Sequence, residues 1–187
     1  MGEHWLYRAL HGVFALLTVV LFVSGAYLVF FYRPTAAQAW NDIYDLQEGG
    51  SIEFGLFVRQ LHSWTTIVWI ASLIPLVLCE AMRNSGRVAL LLGVAFIGGV
   101  TATLSGLFLP WDQLALWSVT VGTDMTGYTP IFGDEVRFVL VNGQEVGVST
   151  IRRALIIHVI VGSVVTLLVV TASITALRHS TNRAAHA

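Results

Sequence analysis

The chain has no lysine and one cysteine, Cys79, in 187 residues. A single thiol cannot form an internal disulfide, so this is not a disulfide-held scaffold. Charge is scarce too: 11% of residues are charged and the net charge is −1. A near-neutral chain whose only permanent cations are ten arginines lacks the basic surface that nucleic acid requires. What is abundant is apolar surface, with 56% hydrophobic residues and a mean hydropathy of +0.75. A soluble domain of this length is not composed that way, whereas a membrane protein is.

Four apolar stretches are long enough to span a bilayer, which takes about 20 residues at 1.5 Å rise each. They are helix A near Leu10–Tyr32, helix B near Phe57–Cys79, helix C near Val88–Leu109 and helix D near Arg153–Leu177. The charged start, residues 1–11, precedes an apolar run too long for a signal h-region and without a small-residue cleavage site. The A–B connection, about 33–56, is polar; B–C is short, from Glu80 to Arg87; C–D, about 110–152, mixes aromatics with acids. No repeat or linker interrupts the pattern, so 1–187 reads as a single domain, an all-α four-helix membrane bundle.

Charge predicts the orientation. The N-terminus, the B–C loop and the C-terminus carry Arg8, Arg83, Arg87, Arg178 and Arg183 against Glu3 and Glu80. The opposite side carries Arg33, Arg59, Arg137, Arg152 and Arg153 against nine acids. The positive-inside rule puts both termini in the cytoplasm and the two long connections on the outer side.

His62 and His158 each lie about five residues into a helix that runs inward from the outer side, hence at one depth, roughly 7–8 Å in. An ionisable group inside a span is costly and marks a candidate functional site. Two imidazoles at matched depth on different helices suit the two axial positions of a haem iron. Arg59, three residues before His62, and Arg153, five before His158, suit the haem propionates. Gly25, Gly98, Gly99 and Gly106 offer gaps for a flat porphyrin. Each feature also has a plainer use: an interhelical hydrogen bond, a snorkelling arginine, a helix-packing glycine.

A second stretch adds weight. Residues 106–121 read GLFLPWDQLALWSVTV. This resembles the end of the third helix of the cytochrome b family, cytochrome b6 included, where a glycine leads into Leu-Pro-Trp-Gly-Gln and a tryptophan follows. Gly106, Pro110, Trp111, Gln113 and Trp117 fall in the matching places. VRQLH (58–62) resembles the family's start of the second helix, TIRRALIIH (150–158) the start of the fourth, and SGAYLVFFYRP (24–34) the end of the first. The resemblance implies a cytochrome b6-like bundle. It makes His62 and His158 ligands of the outer haem, Arg59 and Arg153 its arginines, and Gly25 and Gly106 the glycines packed against it.

The pattern then breaks. The family's second haem has ligands fourteen residues further along the same helices, about 21 Å deeper. Here those positions are Leu76 and Ala172, and neither can ligate iron. Pro75, just before Leu76, is expected to kink helix B. His11 replaces the family's inner glycine on helix A, and Leu92, with Gly93 beside it, replaces the one on helix C. His11 either faces a vacated pocket, where it serves a quinone or another inner cofactor, or is an interfacial histidine bonded to its surroundings. His4, His179 and His186 read as solvated, Cys79 as a buried small residue and Asp112 as a loop acid.

The expectation is therefore a membrane electron-transfer subunit with one bis-histidine haem b near the outer face, in a quinone-linked oxidoreductase complex. Its implied partners are other membrane subunits (subunit IV-like or equivalent), quinol, and a c-type cytochrome or iron–sulfur protein on the outer side. The expected location is a bacterial-type inner membrane. Two rivals stand beside it: a haem-containing anchor for a peripheral dehydrogenase or multihaem cytochrome, and a haem-free helical subunit.

Overall fold

The computed structural model of the chain describes residues 2–47, 54–83, 86–127, 135, 138–139, 141 and 146–185. Its elements are α1 (Gly2–Phe30), α2 (Ala39–Gln47), α3 (Gly55–Met82), α4 (Gly86–Leu107), α5 (Gln113–Gly127) and α6 (Val148–Ala185), with no strand among the described residues. Four of them, α1, α3, α4 and α6, are long and apolar enough to cross a membrane. The shortest, α4, has 22 residues, or about 33 Å. No more than 28% of the most apolar window of any span is buried within the chain. Leu16, Phe22, Trp64, Ile97 and Leu167 are among the large apolar side chains turned outward, as a lipid-facing surface requires. In lipid every polar group must find a partner inside the protein. Hydroxyls accordingly bond back to carbonyls one turn earlier: Thr18 to Phe14, Thr66 to His62, Ser105 to Thr101 and Thr166 to Gly162.

Several boundaries differ from the sequence expectation. Glu80 is not a loop residue: α3 continues to Met82, and Glu80 is fully buried. The long connections contain α2 and α5, short helices that hydropathy alone does not separate from loop. Pro75 lies inside α3, which continues past it to Met82. Asp112 is the N-cap of α5, accepting from the Ala115 amide at 2.8 Å, and not merely a loop acid. Cys79 is exposed rather than buried. The side chains of His4, His179 and His186 lie outside the described residues.

Contacts divide the chain into two units. The first comprises residues 1–26, 60–100 and 161–187. Its core joins Phe14, Trp69, Leu73, Leu76, Val88, Leu92, Ala95, Val165, Val169, Ala172 and Ala176. Trp69 organises it: the indole stacks on Phe14 with centroids 5.3 Å apart, and Nε1 donates to Thr18 Oγ1 at 2.8 Å. Gly99 lies against the Trp69 ring, where a Cβ would collide, and a Cβ on Gly98 would come within 2.6 Å of Val165. Both glycines thus admit core side chains.

The second unit comprises residues 27–59 and 101–160. The Tyr32 hydroxyl donates to the Leu109 carbonyl at 2.6 Å, tying the end of α1 to the end of α4. Asp42 on α2, nearly buried, accepts from the Arg33 amide at 2.7 Å and pairs with its guanidinium. Trp111 has a φ of 51°. That left-handed turn costs a bulky residue about 1–3 kcal/mol, and it turns the chain from α4 into α5.

Replacing Trp69 by Ala should destabilise the first unit by about 3 kcal/mol, the low end for such truncations because lipid rather than water surrounds the bundle; thermal unfolding in detergent measures it. A pH dependence is expected at Tyr32. Burial, and then the Asp42 charge, raise its pKa above the ordinary value of 10.0. The neutral phenol therefore contributes stability that is complete below about pH 10 and declines as pH rises above it. A phenolate absorbance titration, run beside thermal melts of the parent and Tyr32→Phe, should show that decline in the parent only.

Candidate functional site

Each candidate imidazole has one nitrogen engaged by a neighbouring helix. In the first unit, His62 Nδ1 lies 2.9 Å from Ser24 Oγ. The Ser24 hydroxyl is 2.6 Å from the Val20 carbonyl and 3.2 Å from that of Leu21. Carbonyls only accept, so the serine proton points at them and His62 Nδ1–H must be the donor to Ser24. A Cβ on Gly25 would lie 3.2 Å from His62 Cε1, so this glycine provides the room in which the ring sits.

In the second unit, His158 Nδ1 donates to the Ala102 carbonyl at 2.7 Å. A Cβ on Gly106 would lie 2.8 Å from His158 Cε1 and 3.0 Å from Nδ1. The two facts have one cause. A helical side chain leans over the turn before it, so residue 106 would cover the carbonyl of residue 102. Glycine uncovers that carbonyl and lets an imidazole reach it. Both histidines are thereby held in the tautomer that places the lone pair on Nε2, the form in which imidazole binds metal.

The arginines behave differently from each other. Arg59 is partly buried and feels the charge of Asp112, both in the second unit. Arg153 Nη1 donates to the carbonyls of Phe138 and Val139 at 2.7 and 2.8 Å, and its guanidinium lies over the Phe138 ring. Part of its bonding capacity therefore holds the backbone before α6.

His11 belongs to a separate cluster in the first unit. It is fully buried and bonded to its surroundings, with its Nε2 3.0 Å from Glu80 Oε1. The Tyr7 hydroxyl also bonds Glu80, the Tyr7 ring packs 4.8 Å from the His11 ring, and Arg83 lies 4.4 Å over Tyr7. His11 Nδ1 and Glu80 Oε2 have no hydrogen-bond partner among the described residues. Leu76 and Ala172, the positions fourteen residues beyond His62 and His158, are packed into the apolar core. Glu80 and Ser24 were not singled out from the sequence. An acid closing an apolar run, and a serine directly before Gly25, were the available signals.

Comparison with known proteins agrees with this architecture. The Cytochrome b/b6/petB family profile matches residues 4–181. The chain is 28% identical over 161 residues to cytochrome b6 of Prochlorococcus marinus (strain MIT 9515), covering 83% of this chain and 73% of that one. It is 28% identical over 162 residues to cytochrome b6 of Acaryochloris marina (strain MBIC 11017), covering 83% and 74%. Among solved structures, a chain of a hyperthermophilic respiratory complex III superposes with a TM-score of 0.75 at 23% identity, over 92% of this chain. The present chain spans about half of that one, 48%, and the likeness is one of fold.

The His11–Glu80 pair yields a stability prediction. Removing either partner strands the other in a dry interior, at about 3–5 kcal/mol, whereas an apolar pair of similar volume is often neutral. In a double-mutant cycle, His11→Ala and Glu80→Ala should each lower the melting temperature, and His11→Leu with Glu80→Leu should recover most of the loss.

Proposed function

The chain belongs to the cytochrome b/b6 family, and from that membership we propose a membrane electron carrier holding one haem b between His62 and His158. Membership carries the general part: an integral, multi-pass haem subunit of electron transport. The finer assignment is ours, and the observation that carries it is the Nδ1 contact of each imidazole, with Ser24 Oγ and with the Ala102 carbonyl.

The donor set fits the group. Nδ1 of His62 bonds Ser24 and Nδ1 of His158 bonds Ala102, which presents Nε2 of each for axial ligation. Gly25 and Gly106 leave the space that a side chain would take from the rings. Arg59 and Arg153 supply positive charge for the propionates, with Arg153 also holding the backbone before α6. Once bound, the haem contributes a one-electron ferric/ferrous couple. The protein's part is to fix the ligands, keep the surroundings apolar and set the couple's potential.

A single haem per chain is supported by the residues at the second ligand level. Leu76 and Ala172 have no donor atom, and Trp69, Leu73 and Leu92 pack around them in one cluster. With both termini in the cytoplasm, the haem lies toward the outer face. Quinol is the reductant in this reading, and the electron leaves to a c-type cytochrome or iron–sulfur protein on that side. Other membrane subunits are the partners in this reading.

The test is a pyridine haemochrome assay with a reduced-minus-oxidised spectrum on purified protein. One b haem per chain, reducible by quinol and lost in both His62→Ala and His158→Ala, is the expected result. Two haems would overturn the one-haem reading. A low-spin spectrum that survives either substitution would overturn the ligand pair. Haem that quinol does not reduce would favour the anchor reading.

A further inference from the structure

Ser24 is nearly buried, at 4% exposure, on α1. Its oxygen is the meeting point of three groups: the Val20 and Leu21 carbonyls, to which its proton is directed, and Nδ1 of His62. The hydroxyl therefore joins the imidazole to backbone carbonyls of a different helix. We propose that Ser24 is a positioning residue for His62: by accepting the Nδ1–H bond it fixes the ring's tautomer and orientation and sets the reduction potential of the iron that His62 ligates. This rests on the reading of His62 as a ligand.

Hydrogen-bond donation from Nδ1 shifts electron density toward Nε2, making the imidazole a stronger donor and favouring the ferric state. Ala in place of Ser removes the acceptor in a region where water cannot replace it. The bare ring is then a weaker donor, and it is free to turn within the space beside Gly25. Loss of the hydroxyl should therefore raise the potential and alter the ligand-plane geometry, with no ligand removed. A serine that only fills space would move neither readout.

The experiment measures the haem midpoint potential and the low-spin EPR g values for the parent, Ser24→Ala, Ser24→Thr and His62→Ala. Ser24→Ala should keep its haem, shift the ferric-to-ferrous ratio at fixed potential about tenfold toward ferrous, about 59 mV upward, and change the largest g value. Ser24→Thr, which retains a hydroxyl, should restore both. Haem lost from Ser24→Ala and regained in Ser24→Thr supports the same role. Unchanged potential and g values in Ser24→Ala overturn it, as does haem loss in both serine variants, which would mark Ser24 as a packing residue. His62→Ala separates the two claims: a bis-histidine spectrum persisting there overturns the ligand reading itself, whatever the serine variants do.

Discussion

An imidazole half-buried in an apolar bundle has two nitrogens, and what is done with one decides what the other can do. A donor left unmade in such surroundings costs about 1–3 kcal/mol, so the partner of Nδ1 is a structural requirement before it is a functional one. His62 meets it with Ser24 and His158 with the Ala102 carbonyl. Each solution then constrains the helix that supplies it. On α1 the acceptor must sit beside Gly25, and on α4 it must sit one turn before Gly106. The glycines are thus tied to hydrogen bonds as much as to space.

Four of the described glycines perform two different tasks. Gly25 and Gly106 lie against imidazoles, whereas Gly98 and Gly99 lie against Val165 and Trp69. The second pair admits bulky side chains to a core that also contains Leu76 and Ala172. Packing of this kind and a flat cofactor compete for the same volume. A Trp–Phe stack held by an indole bond to Thr18 is a filled solution. His11 and Glu80 add a further polar link between α1 and α3 in that unit, beside Thr18–Trp69 and Ser24–His62.

The four spans were legible because lipid demands one signal, a long apolar run, and the chain has four. His62 and His158 stood out because ionisable groups are so rare inside such runs. Glu80 did not: an acid near the end of a span looks like the first loop residue, and its buried partner His11 shows itself only in the structure. Helices α2 and α5 were missed because they are short and of mixed polarity, and Asp112 becomes recognisable as a cap only once α5 is known to start at Gln113. Ser24 was hidden for another reason. Serines in membrane helices usually bond their own backbone, and this one does so while also accepting from His62.

The two anchors differ in kind, and the difference has a consequence. The Ala102 carbonyl already belongs to a helix, and it can accept a second bond because a carbonyl oxygen has two lone pairs. No side-chain substitution at residue 102 removes it; only a Cβ at residue 106, by covering it, would. The Ser24 hydroxyl is a side chain, placed between the imidazole and carbonyls of the same type at Val20 and Leu21. One imidazole is therefore held by the fold itself, while the other is held through a side-chain group that a single substitution can remove. In the proposed haem reading, a bundle built this way keeps one axial position constant and leaves the other open to adjustment, so that its redox behaviour can change while its architecture stays as it is.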